Sequence, residues 1–168
     1  MPGSEPSAPR CAAIVGPYLS GKTTLMDALL HTAGALHRRG SVKDGSTVGD
    51  ASEEASAHNM STELSVAHCD YLGERWSFLD FPGSVEFSSD SRAALSVADI
   101  AVVVCDPVPD KALALAPLLH HLDANNIPHL LFINKIDQMT CSLREMMEAL
   151  QEVSDRPLVL RQVPIRDG

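Results

Sequence analysis

The chain has 168 residues, 45% of them apolar, and carries 13 Lys and Arg against 22 Asp and Glu, a formal charge of −9 at pH 7. That length fits one domain with enough apolar content for a core, which excludes wholesale disorder. The acidic balance argues against a surface given over to nucleic acid. The longest apolar run, around Ile100–Cys105, falls far short of the roughly 20 residues that cross a bilayer.

Residues 1–10 are Pro- and Ser-rich without an apolar stretch, and read as a disordered leader rather than a secretory signal. Residues 11–168 read as one domain. Cys11–Val15 is a short apolar run ending at Gly16, as a buried strand would. Lys22–Thr32 spaces Leu25, Met26, Leu29 and Leu30 as one helix face. Residues 34–63 are polar with no sustained period, a loop long enough to be functional or mobile. Leu64–Cys69 and Arg75–Asp80 read as strands joined by a turn at Tyr71–Glu74. Asp99–Asp106 encloses Ile-Ala-Val-Val-Val-Cys, the pattern of a strand covered on both faces.

Lys111–Leu122 is Leu- and Ala-rich and reads as a helix ending near Asn125–Asn126, and His129–Asn134 reads as another central strand. Ser142–Ser154 carries a Leu143, Met146, Met147, Leu150 stripe of helical spacing, and Pro157–Leu160 starts one more strand. Strands and helices alternate after a first hairpin, so the expected class is α/β with a mostly parallel sheet. Cys11, Cys69, Cys105 and Cys141 are dispersed in or beside apolar segments, which suits free thiols in a reducing, cytoplasmic setting.

Three short motifs carry chemistry. Gly16-Pro-Tyr-Leu-Ser-Gly21-Lys22-Thr23 fits G-x-x-x-x-G-K-[ST], between a strand and a helix. Its glycines let successive N–H groups turn toward phosphate oxygens, so Gly16, Leu19, Ser20, Gly21, Lys22, Thr23 and Thr24 are candidate phosphate contacts. Lys22 is placed to reach the β- and γ-phosphates and the Thr23 hydroxyl to bind Mg2+. Asp80-Phe-Pro-Gly83 follows a strand; its carboxylate suits Mg2+ and the Gly83 N–H suits a γ-phosphate. Asn134-Lys135-Ile136-Asp137 also follows a strand. A carboxylate at Asp137 can accept from both N1–H and the N2 amino group of guanine, which adenine cannot match. Asn134 would brace that loop and the Lys135 stem would lie along the purine. All three motifs sit at strand ends, where open α/β sheets bind ligands.

With these motifs the chain resembles a guanine-nucleotide-binding domain, and more narrowly the elongation factor G family of translational GTPases. Thr32-Ala-Gly34, Val42–Val48 with Asp50, Phe78–Phe87, and Arg156-Pro157 through Gln162–Ile165 carry the narrower resemblance, which spans residues 11–166. It implies a three-layer α/β/α P-loop fold, GTP/GDP and Mg2+ as ligands, and a ribosome as partner, with no membrane and no DNA. It also implies a switch that hydrolyses GTP in the cytoplasm. Catalysis would fall to Lys22 and to position 84, where Ser84 stands in place of the family's water-positioning His. Ser61 aligns with the family's Mg2+-binding threonine, with Thr62 beside it, and Leu19 replaces a usual acidic residue. The Ser84 replacement supports an alternative, a nucleotide-binding module with weak or no hydrolysis. The family's fifth motif lies beyond an inserted subdomain, so the resemblance implies a domain cut before it.

Other features have plainer readings. His120, His121 and His129 read as ordinary imidazoles rather than metal ligands, Glu53-Glu54 as a solvated loop, and Met146-Met147 as core. Ser84 lacks a G-x-S-x-G setting and reads as a turn serine, not a nucleophile.

Overall fold

The computed structural model describes residues 10–37, 64–83 and 94–164. Five strands among them form one sheet in the order β2-β3-β1-β4-β5: β1 Arg10–Val15, β2 Ser65–Tyr71, β3 Glu74–Asp80, β4 Ile100–Cys105 and β5 His129–Ile133. β3, β1, β4 and β5 run parallel, and β2 pairs antiparallel with β3 through a two-residue turn at Leu72-Gly73. The helices are α1 Lys22–Thr32, α2 Ala116–Ala124 and α3 Leu143–Glu152.

Side-chain alternation explains the layers. On β1, Ala12 and Ile14 point into a core shared with Met26 and Leu30 of α1, whereas Ala13 and Val15 face a second core with Leu118, Leu119, Leu122, Met146 and Leu150. β4 divides the same way, with Val104 toward α1 and Ala101, Val103 and Cys105 toward α2 and α3, which is why its sequence is apolar without alternation. The α/β class with a mostly parallel sheet is therefore present. β1 starts one residue before the expected boundary, at Arg10, whose guanidinium lies 5.4 Å over the Trp76 ring.

Three expectations need correction. The predicted helix over 111–122 is a 3-10 stretch, Pro109–Leu115, before α2 begins at Ala116. Pro117 has no N–H to give Leu113, so an α-helix cannot run through this point and instead restarts with proline in its first turn. The segment at Pro157–Leu160 forms no strand. The Leu158 N–H is taken by the Gln151 side chain at 2.9 Å, and Val159 is 79% exposed. Consequently β5, expected as central, pairs only with β4 among the described residues and leaves Leu130 exposed. α3 agrees closely with its prediction because Ser142 and Glu145 form a reciprocal capping box that fixes its start.

Candidate nucleotide-binding site

Residues 16–21 connect the end of β1 to α1 and hold three left-handed or wide positive φ angles: Gly16 at 143°, Leu19 at 59° and Gly21 at 93°. Gly16 is pressed on β4, where an added Cβ would stand 2.1 Å from the Val104 carbonyl oxygen. α1 then starts without a side-chain cap and without an acidic residue in its first turn. A helix that starts this way can accept an anion at its positive end. Lys22 folds over the same loop, 7% exposed, its Nζ donating to the Pro17 carbonyl at 3.0 Å. Burial pushes its pKa down, and the nearby Asp80 charge offsets only part of that.

β3 delivers the next loop. Asp80 is fully buried, and Thr23 Oγ1 donates to its Oδ2 at 2.6 Å. The Phe81 N–H bonds the Ile14 carbonyl at 3.0 Å, which carries the loop over the end of β1. Gly83 then rests on the phosphate-binding loop: a Cβ there would come 2.6 Å from Lys22 Nζ and 2.8 Å from Tyr18 Cα. A hydroxyl and a carboxylate in contact beside a helix N-terminus form an all-oxygen donor pair, which suits Mg2+. Among the described residues no group of three His, Cys, Asp or Glu side chains could hold a metal. A cation here would thus draw most of its ligands from phosphate and water.

β5 delivers the third loop. The Asn134 N–H bonds the Cys105 carbonyl at 2.8 Å, extending the β4–β5 ladder, and its Nδ2 donates to the Ser20 carbonyl at 2.8 Å. Gly21 makes that bond possible, since a Cβ on it would lie 2.3 Å from Nδ2. Lys135 adopts φ 52°, and its Nζ donates to the Leu19 carbonyl at 2.5 Å and to Asp106 Oδ1 at 2.9 Å. Asp137 is exposed in a 3-10 turn, Ile136–Gln138, closed by the Gln138 N–H on the Lys135 carbonyl at 2.8 Å.

The three motifs thus converge. Gly16, Leu19, Ser20, Gly21, Lys22, Thr23, Asp80, Gly83, Asn134 and Lys135 are linked by direct contacts around one loop. Thr24 is exposed on the first turn of α1, and Asp137 stands exposed in the β5 loop. Ser61, Thr62 and Ser84 lie outside the described residues.

The family model for the elongation factor Tu GTP-binding domain matches residues 8–164. The chain belongs to that family. This GTP-binding domain is 50% identical over 159 residues to the elongation factor G-like protein of Synechocystis sp., covering 95% of the chain and 24% of that protein. It is 31% identical over 147 residues to elongation factor G 2 of Streptomyces coelicolor, covering 87% of the chain and 21% of that protein. It is also 31% identical over 150 residues to the mitochondrial ribosome-releasing factor 2 of Pongo abelii, covering 89% and 19%. A crystal structure from Thermus thermophilus superimposes with a TM-score of 0.73 at 31% identity, over 85% of this chain and 22% of that one. The chain thus spans between about a fifth and a quarter of the length of these curated relatives.

Within this GTP-binding domain one residue of the cluster escaped the motif reading. Asp106, just past β4, accepts from Lys135 through Oδ1 and from Lys111 through Oδ2 at 2.5 Å. Burial opposes its ionisation, but the hydrogen bonds and charges of the two lysines outweigh burial and hold its pKa below the ordinary carboxylate value. The available signal was positional: a carboxylate at the C-terminal end of a central parallel strand, the same place that carries Asp80 and Asn134.

Proposed function

We propose that this chain is the GTP-binding domain of an elongation factor G-like translation factor, a GTP/GDP switch that hydrolyses GTP to GDP and phosphate on the ribosome of the cytoplasm. One observation carries the reading: three loops from three strand ends are tied to one another around the N-terminus of α1. In this reading the N–H groups of Gly16 and of residues 19–24 and the Lys22 ammonium bind the phosphates, and the Gly83 N–H addresses the γ-phosphate. Thr23 and Asp80, joined by Ser61, would hold Mg2+. Bound there, Mg2+ neutralises phosphate charge and orients the phosphate oxygens. Asn134 braces the β5 loop, the Lys135 stem lies along the purine, and Asp137 accepts from guanine N1–H and the N2 amino group. Positioning and electrostatics supply most of the rate of such a reaction, so these binding groups are also the catalytic apparatus. The names of the relatives in translation support the ribosome as partner.

Calorimetric titration of the purified protein with GDP, GTP and ATP in Mg2+ buffer tests the reading. The expected result is heat from both guanine nucleotides and none from ATP. Binding of ATP as tightly as GTP would overturn it.

A second reading, nucleotide binding with weak or no turnover, is favoured by Ser84 alone. A serine hydroxyl is too short to take the place of an imidazole that positions water, and it carries no cationic form. Phosphate release with and without ribosomes separates the two, because ribosome-stimulated turnover well above background excludes the second.

A further inference from the structure

The link between the base-binding loop and the phosphate-binding loop runs through one ammonium group. Lys135 Nζ donates to the Leu19 carbonyl and to Asp106 Oδ1, and both Leu19 and Lys135 hold left-handed φ angles of 59° and 52° that non-glycine residues adopt at a cost. A neutral carbonyl alone is a weak anchor for a flexible four-carbon side chain, and a carboxylate is a strong one. Asp106 is well placed to serve. Cys105 pairs with Ile133, so Asp106 and Lys135 lie near the neighbouring ends of two parallel strands. Its side chain is 11% exposed, and Lys111, from the 3-10 stretch Pro109–Leu115, grips the second carboxylate oxygen. With both oxygens occupied, Asp106 cannot rotate away without breaking two ion pairs.

We infer that Asp106 is a positioning residue for the nucleotide: it pins the Lys135 ammonium to the phosphate-binding loop, fixes the Lys135 stem as the surface on which the purine rests, and so slows nucleotide release. This rests on the guanine-nucleotide reading above. Both Asp106 oxygens are taken by lysines. Its effect must therefore pass through Lys135 and leave the hydrogen bonds of Asp137 to the base intact.

Release of a fluorescent GDP analogue, measured by stopped flow, tests the inference with Asp106→Asn, Lys135→Ala, the double variant and Asp106→Glu. Asp106→Asn and Lys135→Ala should each speed release about tenfold, as expected for losing one charge-assisted bond, and the double variant should be no faster than Lys135→Ala. The preference for GDP over inosine diphosphate, which Asp137 sets, should be retained. Asp106→Glu, which returns the charge, should bring release back to within about threefold of the wild type. Unchanged release in Asp106→Asn, additive effects in the double variant, or loss of the GDP preference along with a lowered thermal midpoint would each overturn the positioning role. If the wild-type protein binds no guanine nucleotide, the functional reading falls and this inference falls with it. Firm wild-type binding with an unmoved Asp106→Asn defeats the inference alone.

Discussion

Replacing Gly21 by alanine tests how the loops that follow β1 and β5 are joined. Two costs can be read from the geometry. Gly21 sits at φ 93°, ψ 28°, outside the small left-handed region open to L-residues, so alanine strains the backbone by about 1–2 kcal/mol. Its Cβ would also lie 2.3 Å from Asn134 Nδ2, more than 1 Å inside ordinary contact, so the amide must leave. That breaks its 2.8 Å bond to the Ser20 carbonyl, at about 1 kcal/mol. Gly21→Ala should therefore destabilise the protein by about 2–3 kcal/mol, and Asn134→Ala alone, which loses the same bond, by about 1 kcal/mol. Independent effects would sum to about 3–4 kcal/mol. Because the clash is with the Asn134 amide itself, the double variant loses the bond only once and should stay near 2–3 kcal/mol, a coupling of about 1 kcal/mol. Urea unfolding followed by circular dichroism measures all three variants. Strict additivity would show that Asn134 does not lie over Gly21 in solution, and the bridge between the two loops would be refuted.

Other consequences can be checked separately. Leu72 is 86% exposed at φ 52° in the β2–β3 turn, where both central residues have positive φ, so Leu72→Asn should stabilise the protein by about 0.5–1 kcal/mol in denaturant unfolding. A destabilised variant would mean that Leu72 makes a contact its exposure hides. Burial, reinforced by Asp106, pushes the Cys105 thiol up to about 12, so iodoacetamide at about pH 8 should leave Cys105 unmodified in the native protein and label it in urea. Native labelling read by mass spectrometry would contradict the packing of β4. Asp137→Asn exchanges a double acceptor for a donor and an acceptor. GDP affinity should fall by about 100-fold, whereas xanthosine diphosphate, with a carbonyl at C2, should gain. Equal losses for both nucleotides would remove Asp137 from base recognition.

The parts legible in the sequence are those in which chemistry or packing constrains neighbouring residues. β4 reads as an uninterrupted apolar run because both of its faces are covered, and α1 falls where the Lys22–Thr32 spacing puts it. The phosphate-binding loop is legible because its turn needs glycine at fixed places, against Val104 and against Asn134. Contacts made across the fold leave no such string. Asp106 meets Lys135 over 29 residues, and only the β4–β5 register brings them together. The 3-10 stretch at Pro109–Leu115 was hidden by helix-favouring Leu and Ala, with the decisive residue, Pro117, lying beyond it. At Pro157–Leu160 a strand-like composition lost to a local alternative, because Gln151 already satisfies the Leu158 N–H.

Lys22 connects the unliganded energetics of this site to its chemistry. The residue is 7% exposed, and burial lowers its pKa from 10.5 despite the opposing charge of Asp80. Between the folded and unfolded pKa values the unfolded chain binds more protons. The stability contributed by this group therefore rises with pH across that interval and levels off above about 10.5. Three thiols act in the other direction, since raised pKa values at the half-buried Cys11 and the buried Cys69 and Cys105 make stability fall above 9.0, so the total profile conceals the lysine. Subtracting the profile of Lys22→Met removes the thiols, which are common to both proteins. The wild-type stability minus that of Lys22→Met, from urea unfolding between about pH 8 and 10.5, should climb with pH. A flat or falling difference would mean that Lys22 is solvated rather than folded under Gly83. A climbing one means that the loop holds a desolvated positive charge, and a phosphate ligand can meet that charge without first removing its water.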